Sequence, residues 1–371
     1  MRRRKVLGMG LAAIVGGARA QGGAGLLYVG SYAPAGVGIY RFALDPARGS
    51  LRPLGQTPNP HSPSWLVADG PRRRLYAAEE GGDHLSVYQA DAQGELQLLQ
   101  RQASGGQGPV HLLLAHGRAW VAHYGDGRLS SLPLQPDGRL GAAESWLGAG
   151  PSPSHAHMIQ ASPDGRWLLS TDLGRDRLDV WPLPAGGTPP GAAQALALRP
   201  GGGPRHLVFH PQRADRLYVV LEKANTLCTV ALTPQGPQML HECPLLPAGY
   251  AGTSYASDLL LAPGGQHLYA FNRLHNSLAV LSLQNPEAPR LLDHHWVHGD
   301  YPRSACQVGP HLFVCNQRSH QLSHFELSRP EQPRYTGQQT AVPSPAVACF
   351  LGGCRALGAG HAQSLTASSG E

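Results

Sequence analysis

The sequence predicts an all-β protein, a seven-bladed β-propeller, on three observations. A short strand of the form Leu-Tyr-apolar-apolar returns seven times, further strands flank each return in a constant order, and the two ends of the array are incomplete in complementary ways.

The recurring segments start at Leu27, Leu75, Ala119, Trp167, Leu217, Leu268 and Leu312, spaced 48, 44, 48, 50, 51 and 44 residues apart. A period of about 47 residues is the length of one four-stranded blade. Before most of these segments stands an apolar strand closed by a turn, such as PSWLVADG, PVHLLLAHG, PRHLVFHP or YASDLLLAPGG. After them comes a polar loop and an alternating strand, such as HLSVYQA, RLDVWPL or NSLAVLSL. The alternation marks half-buried strands and the Gly, Pro and Asp clusters mark turns.

The array opens on LLYVGSY with no inner strand before it and finishes on SPAVACF, Ser344 to Phe350, with no strand after it. Pairing the last with the first completes blade one and closes a ring without an open edge. A β-sandwich, the competing all-β architecture, gives no reason for complementary ends. Composition agrees: Gly 47 and Pro 33 are scattered through the 371 residues, as short strands with tight turns require. The expected organisation is a signal peptide over 1–20, one propeller over 21–350 and a disordered Gly, Ala and Ser-rich tail over 351–371.

Arg2 to Lys5 form a basic segment, Val6 to Gly17 a short apolar one, and Ala18-Arg19-Ala20 a small-residue cleavage site. This predicts export and a periplasmic or secreted protein; the Arg3-Arg4 pair fits a twin-arginine signal, and the general secretory route is the alternative. No later stretch reaches the ~20 apolar residues of a membrane span. The formal net charge of +6 does not imply nucleic-acid binding, because the arginines are dispersed and Lys5 and Lys223 are the only lysines. Six cysteines stand at irregular spacings without a CxxC pair, and Cys306 and Cys315 fall out of register across their hairpin. No cofactor or metal is expected.

Strand polarity then selects a site. With strands A to D running outward from the channel, the start of A and the end of B share one face. The A openings bring Ser64, His111, His155, His157, Arg205, His206, Asp258 and Arg303 there. The B exits bring Glu79, Glu80, Tyr124, Asp172, Glu222, Asn272, Arg273 and Arg318. Each has a plainer use: His111 and His157 as inter-blade packing, Arg205 and Arg273 as ion pairs with Glu222 or Asp258, His210 and Asp164 as turn residues. A metal centre from His111, His123, His155 and His157 lacks any diagnostic spacing.

These residues lie in segments that resemble the lactonase family of seven-bladed propellers, which includes propeller-type 6-phosphogluconolactonases and carboxy-muconate cyclases. The resemblance runs from about Leu26 to Phe350 and is carried by GGPRHLVFHP, LYVVLEKANTL, ASDLLLAPGGQHLYAFNRLHNSL, HAHMIQASPDG and GPVHLLL. It implies catalytic roles for His157, Arg205, Glu222 and Arg273, and substrate contacts for His111, Tyr124, His206, Asp258 and Arg303. Leu221 and Ser304 depart from the family's pattern. The implied reaction is hydrolysis of an acidic or sugar lactone, with His157 or Glu222 as general base and Arg205 and Arg273 on the oxyanion or the substrate's acid group. No GxSxG elbow is present, which disfavours an acyl-enzyme. A lactone-forming cyclase and a non-enzymatic binding propeller are the other readings.

Overall fold

The computed structural model describes residues 25–147, 154–183 and 192–352. Every regular element among them is a strand, and the strands form seven antiparallel sheets of four. The inner strands of blades one to seven are Pro345–Leu351, Pro63–Asp69, Pro109–Ala115, Ala156–Ala161, Pro204–His210, Tyr255–Leu261 and Pro302–Val308. Blade one is completed from the far end of the chain, its inner strand pairing antiparallel with Gly25–Ser31 from Leu26 opposite Leu351 to Gly30 opposite Val347. The closing strand runs through Leu351, one residue into the expected tail. The expected signal peptide and the rest of that tail lie outside the described residues. Among the described residues no helix is long and apolar enough to cross a membrane.

The apolar patterning follows from blades stacking face to face. Second strands are covered on both sides and read as continuous runs: LYAAE of Arg74–Glu79 and the whole of His311–Asn316 are buried. Fourth strands form the rim, so Leu51–Pro58 buries none of its side chains fully. The tyrosine of the repeat has its own task. Tyr28, Tyr76, Tyr218 and Tyr269 are wholly buried. Their hydroxyls donate to carbonyls in a turn of the following blade: Gly94 (2.7 Å), Gly138 (2.7 Å), Pro286 (3.0 Å) and Pro330 (2.7 Å). The ring supplies buried area, and the hydroxyl finds its partner in a turn carbonyl, buried at Gly94 and Gly138 and half-buried at Pro286 and Pro330. At the seam where blade seven meets blade one, Phe313 replaces the tyrosine, and His311 Nε2 bonds Pro46 O at 3.1 Å instead.

The cysteines are free among the described residues, and Ser304, not Cys306, faces Cys315. Burial raises their thiols, that of Cys315 to about 12, so they stay protonated core side chains.

Candidate active site

Each inner strand breaks register with its neighbour at the end that opens on the channel mouth. The shifts fall between Pro63 and Trp65, Pro109 and His111, Ala156 and Met158, Pro204 and Leu207, Ala256 and Leu259, and Pro302 and Ser304, with the same irregularity at Gly30 and Ser31 in blade one. A β-bulge leaves a residue unpaired and re-aims its side chain. The residues set free in this way include Ser64, Val110, His157, Arg205, Arg303 and Ala346. All six, with His206, Trp65 and Ser304, line one cleft. Carbonyls at the bulges are held by neighbouring blades: Thr171 Oγ1 donates to Arg205 O (2.6 Å), Ser257 Oγ to Pro302 O (2.7 Å) and Ser304 Oγ to Ala346 O (2.8 Å).

The local turns set the charged groups. Gly203, with φ of +68°, occupies the left-handed region that favours glycine, and its carbonyl accepts from Glu222 N at 2.7 Å. That turn lays Arg205 against Glu222: Arg205 Nε is 3.0 Å from Glu222 Oε2, and Arg273 Nη2 is 2.8 Å from the same oxygen. Arg205 also donates to Ser257 O at 2.5 Å, and Arg273 to Ala256 O at 3.1 Å. A second cationic group stands across the cleft, where Arg303 Nη2 is 3.3 Å from Glu80 Oε2 and its guanidinium lies 4.7 Å from the centre of the Tyr32 ring. Tyr32 donates its hydroxyl to the same Glu80 oxygen at 2.5 Å.

The electrostatics follow from two buried guanidiniums, Arg205 and Arg273, a half-buried one, Arg303, and two carboxylates. Burial, then Arg273 and Arg303, lower Arg205 to about 10, which leaves it charged at neutral pH. Burial would depress Arg303 too, but Tyr32, Glu80 and Glu222 hold it above its ordinary value. Burial, followed by Arg205, His206, Arg303 and Arg273, pushes His157 well below the usual imidazole range. His157 is therefore an uncharged imidazole, and its Nδ1 has no hydrogen-bond partner among the described residues. Deeper in the same layer His206 Nδ1 is 2.7 Å from Asp258 Oδ1.

Of the nine residues singled out from sequence, His157, Arg205, His206 and Arg303 line the cleft. Glu222 and Arg273 back Arg205, and Asp258 backs His206. Tyr124 stands at the rim, stacked on His155 with centroids 4.4 Å apart and edge-on to His157 at 5.8 Å. His111 does not line the cleft; its ring packs 4.4 Å from Trp65. His123 spends both ring nitrogens on Arg128 O and Ser104 Oγ, each at 3.0 Å. It therefore cannot join a histidine centre, and among the described residues no group of three His, Cys, Asp or Glu is placed to hold a metal ion. Glu79 and Asp172 are structural acceptors: Glu79 for Asn59, Ser86 and Arg101, Asp172 for Ser154 and the backbone at His155. Trp65, Val110, Ala346 and Tyr32 escape sequence reasoning, because only the bulges and the ring closure bring them to the mouth.

Comparison with known proteins agrees with this architecture. The family model for Lactonase, 7-bladed beta-propeller, matches residues 26–350. A 6-phosphogluconolactonase of Bacillus subtilis is 28% identical over 271 residues, 69% of this chain and 77% of that protein. A 6-phosphogluconolactonase of Formosa agariphila is 26% identical over 302 residues, 75% of this chain and 85% of that one. The solved structure of a periplasmic gluconolactonase from Pseudomonas aeruginosa superposes with a TM-score of 0.80 at 28% identity, covering 88% of this chain and 99% of its own.

Proposed function

This chain belongs to the lactonase family of seven-bladed β-propellers, and we propose that it opens a sugar-acid lactone by hydrolysis in the bulge-lined cleft at the channel mouth. The observation that carries the proposal is the pairing of two guanidiniums, the buried Arg205 and the half-buried Arg303, with an uncharged His157 around one cleft. Hydrolysis develops negative charge on the former carbonyl oxygen, and fixed cations in a water-poor site stabilise it without reorganising. Glu222, Glu80 and Tyr32 hold those cations in place. Trp65 adds an apolar wall for the carbon face of a sugar ring.

The substrate class is a six-membered sugar lactone such as gluconolactone. The basic, apolar and small-residue run of residues 2–20 supports export, and a periplasmic gluconolactonase is among the structures similar to this one. Both favour an unphosphorylated substrate met outside the cytoplasm. The purified protein, assayed by pH-stat against gluconolactone, 6-phosphogluconolactone and a carboxy-muconate with and without chelator, tests this. Chelator-insensitive opening of gluconolactone is expected. Cyclisation of the muconate, or no turnover of any of the three, overturns the assignment.

A further inference from the structure

We propose that Arg318, braced on the ring of Tyr301 at the channel mouth, is a specificity-determining subsite for an oxyanionic group at the end of the ligand remote from the lactone carbonyl. The proposal rests on the lactonase assignment above and narrows its substrate class. Arg318 follows the second strand of blade seven, His311–Asn316, and Tyr301 precedes the inner strand, Pro302–Val308, so both stand on the face of the ring that carries the cleft. Tyr301 has a φ of +64°, which a bulky side chain rarely adopts. Turns of blades six and seven hold it there: Tyr301 N donates to Asn276 Oδ1 at 2.9 Å and Gln317 N to Tyr301 O at 3.1 Å. Asp300 beside it accepts from Arg318 N at 3.1 Å and donates its own N–H to Ser319 Oγ at 2.9 Å. Backbone strain persists where the surroundings over-determine it, and it clusters at ligand sites. Here it sets the phenol ring against two guanidiniums, that of Arg273 at 5.2 Å from the ring centre and that of Arg318 at 4.0 Å.

The two cations differ in what they have left to bind. Arg273 is engaged by Glu222 and by the carbonyls of Tyr255 and Ala256, and Arg303 is matched by Glu80. Arg318 is exposed, and among the described residues its guanidinium makes neither an ion pair nor a hydrogen bond. The carboxylate nearest to it in the turn, Asp300, accepts from Asn276 Nδ2 at 2.9 Å instead. A guanidinium presents its N–H groups as a planar fork that fits a carboxylate or phosphate through two parallel bonds. Stacking on the tyrosine restricts the side chain beforehand, so less freedom is lost when the anion arrives.

A continuous path joins this arginine to the reacting centre. Arg205 lines the cleft, Glu222 joins it to Arg273, and Arg273 reaches the Tyr301 hydroxyl at 3.5 Å. Outward along that path Arg318 is the first cation whose charge is unmet. A terminal hydroxymethyl group offers it no counter-charge, whereas a terminal carboxylate or phosphate does. The carboxylate, as in the monolactone of a sugar diacid, is the group that also agrees with an unphosphorylated substrate.

The test measures competitive inhibition of gluconolactone opening by three stable acids of related shape. Gluconate ends in a hydroxymethyl group, glucarate in a second carboxylate and 6-phosphogluconate in a phosphate. In the parent, glucarate should bind at least about tenfold more tightly than gluconate, as one bidentate charge-assisted contact provides. The ratio of the two inhibition constants cancels any general disturbance of the cleft. In Arg318→Gln that ratio should fall to within about twofold of unity. It should be intermediate in Arg318→Lys, which keeps the charge without the fork, and in Tyr301→Leu, which removes the platform. Arg290→Gln, on the outermost strand of blade six, makes the same change in net charge and should keep the parental ratio. An Arg318-dependent advantage confined to 6-phosphogluconate supports the subsite with phosphate as its group. Equal ratios in the parent and Arg318→Gln, or an equal loss in Arg290→Gln, overturn the subsite while leaving the lactonase assignment standing. No opening of gluconolactone by the parent overturns both.

Discussion

Arg205 and Glu222 are joined at 3.0 Å at the mouth end of blade five, where its innermost strand begins and its second strand ends, and the same carboxylate oxygen receives Arg273. Glu222 is therefore the counter-charge that allows two guanidiniums to remain buried side by side. Removing one partner of a buried pair leaves an uncompensated charge, which costs about 3–5 kcal/mol. Glu222→Gln should lower the urea midpoint accordingly and displace Arg205, with a loss of kcat/KM of about 100-fold on gluconolactone. Parental stability and activity in this variant would show that the pair does not organise the cleft.

Acid sensitivity is set by buried histidines. Burial lowers His123 and His324 to about 4, against about 6.5 in an unfolded chain. The folded state then refuses protons that the unfolded state binds as pH falls below about 6.5. Their contribution to pH dependence is nil above that value, grows down to about pH 4 and is constant below. For His123 the loss approaches about 3 kcal/mol. Urea unfolding at pH 7.5, 5.5 and 4.5 should show a falling midpoint, and His123→Gln a shallower fall. A midpoint independent of pH across this window would contradict the assignment.

The tyrosine contacts between blades should act as independent fasteners. Tyr28→Phe, Tyr76→Phe and Tyr218→Phe each remove one hydroxyl and leave a turn carbonyl unbonded, a loss of about 1–2 kcal/mol apiece. Widely separated sites add, so the triple variant should lose the sum in calorimetry. At the closing seam, His311→Phe removes the bond to Pro46 O and the contact of its Nδ1 with His324 Nε2 at 3.0 Å. Hydrogen exchange in Pro345–Leu351 should quicken there before it does in other inner strands.

Fold and ring closure are legible in the sequence because both rest on periodic patterning: Leu27, Leu75, Leu217 and Leu268 recur at blade spacing, and SPAVACF supplies the strand that blade one lacks. The rim follows from strand polarity alone, which is why His157, Arg205, His206 and Arg303 are found. The bulge is not legible. It turns on a single unpaired residue and has no composition of its own, so sequence cannot tell that Val110 enters the cleft while His111, its neighbour, packs against Trp65. The partition of labour among the titratable groups is equally hidden. His157 and His206 look alike in HAH and GPRH, and only the distance from His206 to Asp258 separates them.

Ala346 ties the site to the closure of the ring. It is the residue freed by the irregular pairing of the final strand, it is 2% exposed, its carbonyl is fixed by Ser304 Oγ at 2.8 Å, and it lines the cleft. A larger side chain here narrows the cleft that Ala346 lines. Ala346→Leu is expected to raise KM for gluconolactone by about tenfold or more and, because Ala346 is 2% exposed, to cost about 1–3 kcal/mol of stability. Val110→Leu, on the inner strand of blade three, adds only one methylene and should have a smaller effect in the same direction. Steady-state kinetics on both variants, beside their urea midpoints, separate occlusion from misfolding. Unchanged KM in Ala346→Leu would mean that the lactone binds elsewhere than in this cleft.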